Sequence, residues 1–177
     1  MTRITTKAAA DLITSADMNT ILNKIQTTNA TSVDTDVVFP RYFHVKNYGG
    51  TNATAIRLAD TAASAAGGGT VYLSYGTYGA QSNVRLSTIN GTKFDTGALL
   101  NVRTGATFTI RGPLDAPLKR VFSLTGTGAV NFAAGSVERF LPQWWGAKGD
   151  GTTDDNVAVT NAKNAVPSTG GTLFFLA

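Results

Sequence analysis

Cysteine is absent from this 177-residue chain. That excludes a disulfide framework and any thiolate metal site. Histidine occurs once, at His44, so a multi-histidine metal centre and a His–His acid–base pair are excluded too. Glu138 is the only glutamate. Charged residues make up 15% of the chain, where soluble domains carry roughly 25%. No apolar run approaches the roughly 18 residues of a membrane span, so membrane insertion is not expected. The opening MTRITTKAAADLIT is basic but lacks the apolar stretch of a secretory signal. Without such a signal the N-x-T sequons at Asn29, Asn52 and Asn90 carry little meaning. A P-loop, a dinucleotide fingerprint and a G-x-S-x-G elbow are all missing.

Thr, Ala and Gly are abundant, at about two-fifths of the residues together. Such a composition suits repetitive β-structure with many turns better than a helical bundle. The chain is 42% hydrophobic, enough for a core, and its formal net charge is +4. Arg103, Arg111, Lys119, Arg120 and Arg139 give a loosely basic middle without a run of like charge. These read as solvated charges, and no nucleic-acid partner is expected.

Residues 1–40 read as a leader with one short helix. Ser15 or Asp17 caps it, and Met18, Ile21, Leu22 and Ile25 form one apolar stripe at helical spacing. A helix of about ten residues is marginal alone in water, so this one must dock. It is either an attachment segment for a partner or a helix packed on its own domain. The polar stretch TTNATSVDTD that follows reads as a linker.

An internal repeat comes next. Lys46–Tyr75 and Lys148–Ala177 align without a gap, with identities at Lys46/Lys148, Gly49/Gly151, Thr51/Thr153, Ala63/Ala165, Gly68/Gly170, Gly69/Gly171 and Thr70/Thr172. Each copy reads as a Gly-rich turn, a cap at Asn52 or Asp154, and a small-residue helix over 53–66 or 155–166. Gly-Gly ends that helix, and an apolar strand starts at Thr70 or Thr172. An alanine face (Ala55, Ala59, Ala62, Ala63, Ala66) lets the first helix approach a neighbouring backbone closely. Between the copies lie short strand candidates at 83–89, 98–102, 107–111, 120–124, 129–132 and 136–140. The turn signals separating them are Asn90-Gly91, Thr96-Gly97, Thr104-Gly105, Gly112-Pro113 and Gly126-Thr-Gly128. The expected fold is mainly β with short helices. It is a β-solenoid or β-helix of short strands capped by small-residue helices, preceded by the amphipathic leader helix.

The string PQWWGAKGDGTTDDNVAVTNAKNAVPSTGGTLFF (Pro142–Phe175) resembles the opening of pectate-lyase-like right-handed β-helix domains, common in phage tailspikes and polysaccharide-active enzymes. The pattern is carried by Trp144-Trp145, Gly146-Ala147, Gly149-Asp150-Gly151, Asp154-Asp155, Gly170-Gly171-Thr172 and Leu173-Phe174-Phe175. The preceding stretch Gly105–Ala147 is also similar to tailspike-type proteins. The resemblance covers roughly residues 42–177. In the first copy Asn52 and Ala53 stand where Asp154 and Asp155 stand, so the acidic turn is dispensable to the architecture. In the resembling family the saccharide groove and catalytic carboxylates lie in coils beyond this strand.

Asp150, Asp154 and Asp155 are the one dense acidic cluster, but their spacing fails the EF-hand pattern. They read as a turn and helix cap, with no metal expected. Glycoside hydrolysis needs two carboxylates facing a groove. Nothing in the sequence pairs Glu138, Asp95 or Asp115, so no catalytic residue is assigned. Trp144 and Trp145 are candidates for stacking on sugar rings or, with more weight, for packing. His44 has no evident partner.

The resemblance implies three domains: an attachment helix and linker (1–40), a β-rich adaptor opened by the first copy (41–141), and the start of a β-helix domain (142–177). It implies a phage virion structural protein, made in the host cytoplasm and assembled into the tail. This would be the anchoring, trimerising part of a tailspike or tail fibre used in host attachment, without a cofactor. Expected partners are tail, neck or baseplate proteins, two further copies in a homotrimer, and a host surface polysaccharide. The alternatives are a polysaccharide depolymerase, lyase or glycoside hydrolase, whose catalytic β-helix lies beyond residue 177, and a non-catalytic carbohydrate-binding module.

Overall fold

The computed structural model describes residues 41–175. The leader stripe Met18, Ile21, Leu22 and Ile25 lies outside the described residues. The chain begins with β1 (Tyr42–His44), a 3₁₀ turn (Val45–Tyr48) and α1 (Ala53–Ala65). Nine strands then follow without a helix: β2 (Gly69–Leu73), β3 (Gly76–Ala80), β4 (Val84–Arg85), β5 (Asn90–Phe94), β6 (Ala98–Val102), β7 (Thr107–Ile110), β8 (Leu114–Asp115), β9 (Phe122–Leu124) and β10 (Ala129–Phe132). β11 (Arg139–Phe140), a second 3₁₀ turn (Pro142–Trp145), α2 (Asn156–Ala165) and β12 (Thr172–Leu173) complete the described residues.

The strand pairs formed among these elements are parallel. The sheets run β1-β2-β5-β8, β3-β6-β9 and β4-β7-β10, with β11-β12 apart. From β2 onward the chain therefore visits three sheets in rotation, three times over. Gly76 lies opposite Ala98 and Thr107 opposite Ala129, each 22 residues later. Alternation along each strand sends one side chain in and the next out. The inward ones stack in columns: Tyr78 on Leu100 on Phe122, Val84 on Phe108 on Val130, and Ile110 on Phe132. These side chains are buried and belong to one continuous cluster that also takes in Val45, Ile56, the Trp144-Trp145 pair and Ala165. The core does not break between residues 141 and 142, where a domain boundary was expected. Two inward positions of β5 are polar, Asn90 and Thr92; Thr92, between Val71 and Leu114, is buried with an unpartnered hydroxyl.

The repeat is real in three dimensions, but it is not gap-free. Tyr42↔Thr70 in the first copy corresponds to Arg139↔Thr172 in the second. Each first strand runs into a 3₁₀ turn closed by a left-handed glycine, Gly49 (φ 90°) or Gly146 (φ 100°). Gly49 thus corresponds to Gly146, not Gly151, and the Lys46/Lys148 and Thr51/Thr153 identities are accidents of an ungapped alignment. The connection to the helix is residues 50–52 in the first copy and the longer 147–155 in the second. After the helices the ungapped alignment holds. Gly69 has no room for a side chain, because a Cβ there would sit 2.5 Å from Phe43 Cε2. Gly171 meets Phe140 Cε2 at 2.6 Å in the same way. In each copy a first-strand phenylalanine ring packs against the glycine at the start of the last strand.

Two local expectations are corrected. Asn90-Gly91, expected to be a turn, opens β5 instead. Asn90 is fully buried, and its amide nitrogen donates to the Asp60 carbonyl (2.9 Å), Asp60 Oδ1 (2.7 Å) and Ser64 Oγ (2.9 Å) on α1. Those tertiary bonds override the turn preference of the dipeptide. The second helix has Asp155, not Asp154, at its N-cap position, and that cap makes no side-chain bond to the helix. In the first copy Asn52 Oδ1 does cap, accepting from Ala55 N–H at 2.9 Å.

Candidate functional site

The acidic loop of the second copy is turned on itself. Asp150 accepts from the backbone N–H groups of Thr152 (3.0 Å) and Thr153 (2.7 Å) and from the Thr153 hydroxyl (2.8 Å). These donors hold its carboxyl far below the usual carboxylate range, the Thr153 amide most of all. Asp155 bridges back to the Lys148 and Gly149 amides at 2.9 and 2.7 Å. Asp154 Oδ1 accepts from Asn156 N–H at 2.9 Å, at the start of α2. Asp150 and Asp155 thus bind the loop's own amides, and Asp154 binds the first amide of α2. No group of three or more metal-ligating side chains gathers among the described residues.

Trp144 and Trp145 are 5% and 6% exposed. Trp145 lies against Phe122 (centroids 5.1 Å apart), and Trp144 stacks on Phe132 at 6.3 Å and 24°. Neither indole has an open face for a sugar ring in this arrangement. Both indole N–H groups and Gln143 Oε1 are buried without a partner.

A different surface gathers the exposed polar and aromatic groups. On the outside of the β1-β2-β5-β8 sheet, register puts His44, Tyr72, Lys93 and Asp115 in one row. His44 and Tyr72 pack with their rings near perpendicular (4.5 Å, 86°), and Tyr42 leans on the Tyr72 ring at 5.6 Å. The Tyr72 hydroxyl donates to Asp95 Oδ2 at 2.7 Å. That bond raises the Tyr72 pKa. It also lowers that of Asp95, helped by the Thr96 amide. Lys93 is ion-paired with Asp115, which raises the lysine's pKa. Beside this row the side chains shrink to Thr70, Gly91 and Pro113, leaving a shallow depression of about 160 Å³ edged by Tyr42, Lys93 and Asp115.

Asp95 is kept ionised and Tyr72 kept protonated, so neither is poised to exchange a proton near neutral pH. His44 has no hydrogen-bonded partner among the described residues. The surface was missed in the sequence because its signal is the spacing of Tyr72, Lys93 and Asp115 at one coil apiece. That period becomes visible only once the coil length is known.

Compared with protein-family models, curated proteins and solved structures, the chain gives no match. No helix among the described residues is long and apolar enough to cross a membrane.

Proposed function

We propose that this chain is a structural part of a phage tailspike or tail fibre, lying between the particle and the receptor-binding region. In this reading residues 1–40 anchor to a tail, neck or baseplate protein. The parallel coils from residue 69 onward form a β-helix spacer, and the second copy opens a further β-helix. The observation that carries the reading is the coil stack bracketed by two copies of one strand–helix–strand motif. The second copy bears the residues that resemble tailspike β-helix openings. Parallel coils stacked at about 4.8 Å per turn make a stiff rod, the mechanical property a spacer needs. A homotrimer belongs to the same reading.

The test is the solution mass by light scattering, together with mass spectrometry of purified particles. The reading expects three times the 18.5 kDa chain mass and peptides of this chain in the tail fraction. A monomer missing from particles contradicts it. So does release of reducing ends or unsaturated sugars from capsule polysaccharide by this chain.

The outer row around Tyr72 favours a second reading, a non-catalytic carbohydrate-binding module. Glycan binding abolished by Tyr42→Ala and Tyr72→Ala would support it. Binding that survives both substitutions would reject that surface as the site.

A further inference from the structure

Asn90-Gly91 is the one Asn-Gly pair in the chain. Asparagine is chemically labile before glycine, which has no side chain to shield its own nitrogen and lets the backbone turn freely. The loss runs in two steps. The Gly91 nitrogen gives up its proton and bonds to Asn90 Cγ, the Cγ–Nδ2 bond breaks, and Nδ2 leaves as ammonia. One water then opens the five-membered imide at either carbonyl, leaving aspartate or isoaspartate. The fold holds each participant away from that course. Asn90 is fully buried. Its Nδ2, the leaving group, is tied to the Asp60 carbonyl, Asp60 Oδ1 and Ser64 Oγ on α1. Gly69↔Asn90 and Thr92↔Leu114 pairing keeps β5 extended between β2 and β8, whereas closing the imide needs the chain to turn there. The next coil shuts the site from its other side, with Gly112 so close to the Asn90 carbonyl that a side chain on it has no room.

The product does not suit the same place. An aspartate at position 90 sets an acceptor where Nδ2 donated, against the carbonyl and carboxylate of Asp60, and only Ser64 Oγ can still donate to it. Two buried carboxylates with no donor between them are strongly destabilising. Isoaspartate runs the main chain through the side-chain carbon and so lengthens it by one atom. That throws Thr92 and Phe94 out of step with Val71 and Leu73. We propose that Asn90 is a deamidation site gated by folding. It reacts with Gly91 while the chain is unfolded, and it is locked once β5 is seated under α1. A chain that has reacted can no longer seat that coil. The pair is thus a timer that retires chains which fold too slowly, and it acts whatever larger structure the chain joins.

The experiment follows Asn90 by peptide mass spectrometry in the full chain, kept at mildly alkaline pH either folded or in urea. In urea the peptide holding Asn90-Gly91 is expected to gain the mass of deamidation. In the folded chain the same conversion is expected to be slower by roughly a thousandfold or more, following the unfolded fraction. Comparable rates in the two states overturn the lock. The second arm tests the product. Asn90→Asp is expected to lower the thermal midpoint by roughly 10 °C, or to prevent cooperative folding, because it buries an unpaired charge. The swap of Asp60→Asn with Asn90→Asp moves the amide donor onto the helix, where its oxygen can still accept from the Ser87 N–H. It is expected to recover about half of the loss or more. A single variant as stable as the parent overturns the proposal. So does a swap no more stable than the single variant, since the loss would then lie outside this pair.

Discussion

The first strand–helix–strand copy closes on a core and the second closes on half of one, although both are built alike. Each lays a phenylalanine on a glycine, Phe43 on Gly69 and Phe140 on Gly171. Each turns through a left-handed glycine before its helix. The differences lie in what is attached. The first copy spends a side chain on capping its helix, with Asn52 on Ala55. The second spends its aspartates on a longer loop. Where the first pairs Tyr42 with Tyr72, the second sets the Arg139 guanidinium 4.7 Å from the Phe174 ring centre. A motif can thus hold its register while its surface and its burial are rewritten, because the register rests on two glycine contacts and a backbone ladder.

The largest expected contrast between the copies is in burial. Leu73→Ala removes a fully buried side chain and is expected to cost about 2–5 kcal/mol. Phe175→Ala, at the matching exposed position, is expected to cost about 0.5 kcal/mol or less. Chemical denaturation of the two variants measures the gap, and equal losses would erase the distinction between the copies. Next come the glycines. Gly69→Ala must displace both the Phe43 ring and the Arg41 carbonyl at 2.9 Å, for an expected loss of about 1–3 kcal/mol. Gly171→Ala meets side chains first, Phe140 at 2.6 Å and Val166 at 3.1 Å, and is expected to cost less because side chains yield more readily than backbone.

Smaller effects sharpen the same contrast. Asn52→Ala removes the N-cap bond of the first helix and is expected to cost about 1 kcal/mol. Asp155→Ala is expected to loosen the 147–155 loop, seen as faster exchange of the Lys148 and Gly149 amides, with the α2 helix left formed. Thr92→Val replaces an unpartnered buried hydroxyl beside Val71 and is expected to raise stability by about 1 kcal/mol, widening the gap. The smallest is a pH effect. Asp95 has a lowered pKa, so its contribution is present above the unfolded value of about 3.9 and fades as pH falls below it. Tyr72 has a raised pKa, so its contribution is present below about 10 and fades as pH rises past that. Tyr72→Phe makes the first copy resemble the second at this position. It is expected to differ from the parent most between about pH 4 and 10, and the difference is expected to shrink progressively as pH falls below that window.

Much of this fold was legible in local signals. The small-residue helices, the Gly-Gly stops and the strands at 98–102 and 129–132 follow from periodicity and turn chemistry, and the structure places them within a residue or two. What local signals missed depended on distant partners. Asn90-Gly91 reads as a turn until Asp60 and Ser64 are brought above it. The strand at Gly76–Ala80 has too many small residues to stand out, and it exists because Ala98–Val102 pairs beside it. The row His44, Tyr72, Lys93, Asp115 is scattered along the chain and meets only through sheet register. The acidic cluster and the tryptophan pair were visible as residues. Their surroundings, loop amides for one and phenylalanine rings for the other, were not, because both depend on the course of the chain around them.

Residue-resolved native-state hydrogen exchange of the full chain tests the central claim most directly, since it reads how firmly each copy is held. The account predicts that the amides of β2, β5 and β6 exchange only on global unfolding, while those of α2 and β12 open at markedly lower free energy. Equal protection in the two copies would contradict it, because it would mean that the second is sealed as completely as the first.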